Sequence, residues 1–315
     1  MHNQPEHILS NENDGPVLAL AFHPQGRILA SADAEGAVKL WDVPGETLLV
    51  SLREHSRPVR ALAFAADGKY VISGSRDGSV KVWDAASFSA RFSIRPDGSP
   101  IASVALSPDG KLLAVGCDSG VIALYSSESG RAWGVLQGHA RAVLSLAFAP
   151  DGAVLASGSE DGNAKVWGIH RGWEVQTLCG HHGSINAVDF SPQGNVLATG
   201  SDDMSVKLWD ALSGELCETL NGHYGLVETV AFAPDGVHLA SGGQDHSVKF
   251  WYVPTGEVQA SLDEQDSSVW AVKFSPAGDV LAAAGEDGII RLWNVEQQRH
   301  DARHRVAVCA GAADG

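Results

Sequence analysis

Basic residues are in short supply: 22 lysines and arginines face 38 aspartates and glutamates, a formal net charge of −16. A protein that grips nucleic acid through its backbone needs the opposite balance, because it exchanges basic side chains for phosphate counterions. No nucleic-acid partner is expected, and the negative surface is repelled by anionic membranes. No apolar run approaches the roughly 20 residues that span a bilayer, so no membrane partner is expected either. The opening MHNQPEHILSNEND lacks a basic region leading into an apolar one, the mark of a secretory signal. Cysteine is scarce as well. Cys117, Cys179, Cys217 and Cys309 form no CxxC pair and are too few for a disulfide framework. Unpaired thiols suit a reducing compartment, and a cytoplasmic location is expected. Helical periodicity is missing throughout.

Enough apolar material is present for a core: 44% of residues are hydrophobic and 19% charged. One stretch invites a chemical reading. GSDDMSVKLWD places Asp202 beside Asp203, with His181 and His182 upstream. Carboxylates near histidines are what general acid/base catalysis or a metal site requires.

Repetition answers the question. Stepping 42 residues from Trp209 reaches Trp41, Trp83, Tyr125, Trp167, Trp251 and Trp293. The same step from Asp203 reaches Glu35, Asp77, Ser119, Asp161, Asp245 and Asp287. From Thr199 it meets Ser31, Ser73, Val115, Ser157, Ser241 and Ala283. His181 recurs as His55, His139 and His223, with Asn13, Asp97 and Gln265 in the other places. Each copy reads as four short strands, such as INAVDF, NVLATG, SVKLWD and LCETL, with the SPQG turn after the first. The fold class is all-β, with antiparallel four-stranded units.

Gly180-His181, the turn at Asp203 and Trp209-Asp210 resemble the WD40 repeat, and the resemblance covers nearly the whole chain. It implies a seven-bladed β-propeller, each blade a four-stranded antiparallel sheet with a 42-residue repeat. One propeller is expected over residues 1–299, monomeric, with a tail at 300–315. The resemblance also implies hydrogen-bonded tetrads that brace four blades: His55/Ser73/Asp77/Trp83, His139/Ser157/Asp161/Trp167, His181/Thr199/Asp203/Trp209 and His223/Ser241/Asp245/Trp251. Elementary chemistry agrees, since a buried indole N–H needs an acceptor and a hydroxyl can accept it while donating onward. A catalytic triad copied four times would have no purpose. Blades one, three and seven depart from the pattern and are expected to rely on packing alone.

Residues 6–10 (EHILS) are expected to supply the outer strand of the last blade, with RVAVCAG (305–311) as the competing segment. Trp133 and Trp173 lie outside the repeat register and are expected to pack between neighbouring blades. The inner strands, VLALAF to VWAVKF, are apolar and small. No phosphate loop, nucleophile motif or metal-ligand spacing stands out, so no catalytic residue, metal or cofactor is expected.

The resemblance implies a non-catalytic scaffold that binds a protein partner on one face. By register, the rim residues include Leu18, Arg60, Arg76, Asp118, Glu160, Asp202, Glu228, Trp270 and Glu286. Trp270 and Leu18 beside Arg60 and Arg76 are the mix enriched at binding hot spots, and the acidic arc of Asp118, Glu160, Asp202 and Glu228 lies opposite. A fixed structural subunit of one assembly is the alternative, and a propeller enzyme with a channel metal is a remoter one.

Overall fold

The computed structural model describes residue 5 and residues 7–10, 15–170, 172–262 and 266–296. Twenty-eight strands pair as seven separate four-stranded antiparallel sheets set round a ring. Blade one shows the plan: inner strand Val17–Phe22, then Ile28–Asp33, Val38–Asp42 and outer strand Thr47–Leu52. The turn after every inner strand places a glycine in the left-handed region, from Gly26 (φ 76°) to Gly278 (φ 75°), where a side chain would be strained. Outer strands are the polar ones because one face meets water. Among the described residues, no helix is long and apolar enough to cross a membrane.

Blade seven takes its outer strand from the other end of the chain. His7–Ser10 pairs antiparallel with Ile289–Asn294, in the register His7 to Leu292 and Ser10 to Ile289. Leu9 is buried there beside Ile290 and Leu292. Residues 305–311, the competing segment, and the 300–315 tail lie outside the described residues.

The core lies in the seams. Trp209 packs against Val166 and Leu178 of the preceding blade, Trp251 against Leu208 and Leu220, and Trp41 against Leu292 across the chain closure. Each indole is therefore a wedge between two blades. Such a side chain buries roughly 200 Å², about 5 kcal/mol as an upper estimate.

A wedge buried this deeply must satisfy its N–H. Trp83 Nε1 donates to Ser73 Oγ at 2.9 Å, and Ser73 Oγ lies 2.8 Å from His55 Nε2. His55 Nδ1 lies 3.1 Å from Asp77 Oδ2. The same chain joins Trp167, Ser157, His139 and Asp161. It also joins Trp209, Thr199, His181 and Asp203, and again Trp251, Ser241, His223 and Asp245. The proton order runs one way: indole to hydroxyl, hydroxyl to Nε2, Nδ1–H to carboxylate. This order needs a neutral imidazole. Burial accordingly pushes the pKa values of His55, His139 and His181 down, against the pull of their aspartates. Burial alone would raise Asp77, but hydrogen bonds from Ser79, Ser56 and His55 outweigh it and bring it to about 2.

The three divergent blades do not rest on packing alone, contrary to the expectation. Blade one keeps half the brace, with Trp41 Nε1 donating to Ser31 Oγ at 2.9 Å. In blade three the roles trade places: Ser119 Oγ donates to Asp97 Oδ2 at 2.5 Å, again tying the entry loop to the turn. Blade seven substitutes an ion pair, Arg291 Nη1 to Asp287 Oδ2 at 2.6 Å. In each, side-chain polar groups find partners among themselves, buried in blade one and exposed in blade three.

Replacing His181 by Leu should cost about 1–3 kcal/mol at pH 7, because it strands the Thr199 hydroxyl and the Asp203 carboxylate. Ser119→Ala, at the more exposed link of blade three, should cost less. Folded-state histidine pKa values below the unfolded value of about 6.5 mean that the unfolded chain binds more protons. Stability from His55, His139 and His181 is therefore complete above about pH 6.5 and falls as pH drops through that window. The Asp77 contribution is lost later, between about pH 4 and 2. Denaturant midpoints measured from pH 8 to 5 test the first part, and a rising midpoint on acidification would contradict it.

Candidate functional site: the channel mouth

Every inner strand carries the same irregularity. Val17 pairs with Asp33 and Ala19 with Ala32, so Leu18 is the extra residue of a β-bulge. The shift recurs at Arg60, Ala102, Leu144, Asn186, Glu228 and Trp270. A bulged residue is released from the pleat and its side chain is re-aimed. Seven bulges at one level turn seven side chains toward the mouth of the central channel.

The mouth is a cavity of about 470 Å³. It brings together Trp270, Leu18, Arg60 and Arg76 with Pro16 and Pro58, as their registers suggested, and adds Glu228 and Gln244 from blade six. Trp270 is half-buried and Arg60 is exposed. Asp118, Glu160, Asp202 and Glu286 do not line this cavity. Asp118 Oδ2 sits 3.8 Å from Arg76, and Glu160 Oε2 3.9 Å from Arg141 Nε. Asp202 accepts from Asn186 Nδ2 at 2.7 Å, while Glu286 is exposed at the rim. The acidic arc is thus partly answered by its own neighbours.

Glu228 is the unusual group. Burial raises its carboxyl pKa, Asp202 raises it further, and a hydrogen bond from Gln244 together with the charge of Arg60 opposes the rise. Gln244 Nε2 donates to Glu228 Oε1 at 2.8 Å. The mouth is accordingly dipolar, with guanidinium groups over blade two and a desolvated carboxyl on blade six.

Below the mouth, side chains of one inner strand reach the inner strand of the next blade. Ser103 Oγ donates to Val143 O of the next blade at 2.8 Å, and Asn186 Nδ2 donates to Val227 O at 3.1 Å. Ser145, Asp189 and Thr229 accept from Val188, Phe232 and Val272 in the same direction round the ring. These side chains stitch seams rather than face a substrate. Among the described residues, no group of three His, Cys, Asp or Glu side chains is placed to hold a metal ion.

Trp133 and Trp173 do not pack between blades. They are 55% and 54% exposed on the outer strands of blades three and four. Sequence spacing placed them at outer strands, but the face they take depends on a bulge in the pairing of Leu124/Tyr125 with Gly134/Ala132 and its blade-four counterpart. No short-range signal announces such a bulge.

The fold, the tetrads and the ring of bulges define a WD-repeat propeller, a class whose members typically bind other proteins and are not catalysts. The chain belongs to the WD40 repeat family: the family model for the WD domain, G-beta repeat, matches residues 172–210, 214–252 and 256–294. The model of the echinoderm microtubule-associated protein second beta-propeller matches residues 17–181, just over half of the chain. No curated protein matches it at a significant level.

Replacing Glu228 by Gln keeps an acceptor for Gln244 and removes a charge that burial disfavours. A raised folded-state pKa means that stability is lost as pH rises through it. The variant should therefore have a higher denaturation midpoint than wild type at pH 8, and the gap should close near pH 4. An equal or lower midpoint at pH 8 would show that Arg60 already offsets the burial.

Proposed function

We propose that this propeller is a non-catalytic scaffold of the cytoplasm that docks a peptide or loop of a partner protein at the channel mouth. One observation supports the reading: bulges bring Trp270, Leu18 and Arg60 to one cavity, and the turn of blade two adds Arg76. An aromatic anchor beside guanidinium groups is the composition of a hot spot. The partner segment places an apolar side chain against Trp270 and Leu18 and a carboxylate near Arg60 and Arg76. Basic residues of the partner lie toward Glu228 and Asp202. Retaining Glu228 in a setting that disfavours its charge fits this use, since perturbed groups in clefts mark functional sites. Exposed free thiols at Cys179 and Cys217 suit the reducing compartment.

The test is affinity capture from lysate of the source cells, wild type beside a Trp270→Ala/Arg60→Glu/Arg76→Glu variant. Both are first shown to be folded by circular dichroism. Wild type should capture a protein that the variant loses by tenfold or more, as expected when residues each contributing over 1 kcal/mol are removed. Identical capture by both would place the docking surface elsewhere.

A further inference from the structure

In blades three, five and six the turn between the third and outer strands leans on the outer strand of the blade before it. A side chain grafted onto Gly130 would strike Phe92 at 2.8 Å, one on Gly214 would meet Gln176 and Leu178 at 3.0 Å, and one on Gly256 would meet Leu220 at 3.1 Å. Blades one and two put Glu46 and Phe88 at this left-handed position. Glu46 reaches His7 at 2.7 Å, and Phe88 joins the apolar cluster of Val50 and Leu52. The blade-four copy is different. A side chain on Gly172 would meet nothing within 4 Å. Nor would one on Gly134 of blade three, whose counterparts are Val50, Phe92, Gln176, Glu218 and Ala260.

The seam between blades three and four consequently holds a cleft of about 440 Å³. Leu112 and Ile169 form its apolar wall, Trp133 its exposed indole, and Asp109 and Asp151 bring carboxylates from the turns of the two blades. The Ser107 hydroxyl and the Lys111 backbone N–H bond Asp109 and keep its carboxyl below the usual range, so it is anionic at neutral pH. Lys111 also lines the cleft, but its ammonium is 3.8 Å from Asp109 on a side chain 84% exposed, a contact that contributes little and yields readily. His170 is exposed at the edge. The seam between blades seven and one also holds a cleft, but Arg27 lines it and its tryptophan, Trp293, is buried.

An exposed indole, an aliphatic wall and two carboxylates are complementary to one side chain above others. A guanidinium can lie flat on an indole while its edge donates to carboxylates, and its three-methylene stem prefers an aliphatic surface. Lysine offers a point charge with neither the flat face nor the fork. We propose that this seam is a second docking site, which receives an arginine side chain from an extended segment of a partner protein. The net charge of −16 favours the approach of such a basic segment. The site is separate from the channel mouth and does not rest on it.

The experiment uses the full chain with its nine tryptophans labelled at the indole nitrogen. The Trp133 signal is assigned by its loss in Trp133→Phe. The probes are the capped tripeptide Ac-Ala-Arg-Ala-NH2 and its lysine and citrulline counterparts. The arginine peptide should shift the Trp133 signal in a saturable manner, at least tenfold more tightly than either counterpart. Asp151→Asn and Asp109→Asn should each weaken that response several-fold, with the buried Trp167 and Trp209 signals unmoved as proof of folding. Arg60→Glu, at the mouth, should leave the response unchanged, which separates this site from the other. A Trp133 signal that stays still, or moves as far with lysine or citrulline, would overturn the assignment.

Discussion

A buried indole N–H is the constraint on which the rest of the structure depends. The propeller has no central core. Its apolar contacts lie in seven thin seams, and the largest side chain in six of them is a tryptophan at the same step of the repeat. Pushing that ring between two sheets gains several kcal/mol of burial but carries a donor away from water. The hydroxyl, imidazole and carboxylate behind it discharge that obligation one bond at a time. They also pin the entry loop to the turn at the blade's upper edge. A local hydrogen-bond requirement thus fixes where the loops of the binding face stand.

The divergent blades show that the requirement is general and its chemistry negotiable. Blade three exchanges carboxylate and hydroxyl between loop and turn, and blade seven pairs Asp287 with Arg291. The first ties the entry loop to the turn, and the second ties the turn to the third strand. What changes is strength and exposure, and it is blade three whose seam with blade four is left open. Relaxed bracing and an unfilled cleft occur at the same place in the ring.

The mouth shows a second economy. Backbone irregularity, repeated seven times, delivers side chains of any type to a common place. The scaffold is indifferent to whether Leu18, Arg60, Glu228 or Trp270 occupies the bulge, because the pairing on either side carries the fold. Recognition can vary while the ring stays constant.

Much of this was legible in the chain. The step of 42 residues from Trp209 to its six counterparts announces seven repeats, and the WD40 resemblance of each makes them blades. The grouping of His181, Thr199, Asp203 and Trp209 is what the WD40 resemblance implies, and the donor and acceptor inventory of those side chains agrees with it. Positions 18, 60 and 270 were legible as rim residues once the WD40 resemblance was carried over by register. Other features were not. That Asp118 meets Arg76 and Asp202 meets Asn186 depends on side chains from different strands, and spacing is silent on such meetings. Trp133 reads in the sequence as material for packing between blades, yet it is exposed, because the bulge in the pairing of its strand decides the face it takes. The sequence by itself determined the number of blades, their strands and their braces, because these are periodic and each period must satisfy the same local chemistry. Only the tertiary structure decided which charges stay unanswered and which seam stays open, because both depend on how each blade meets the next.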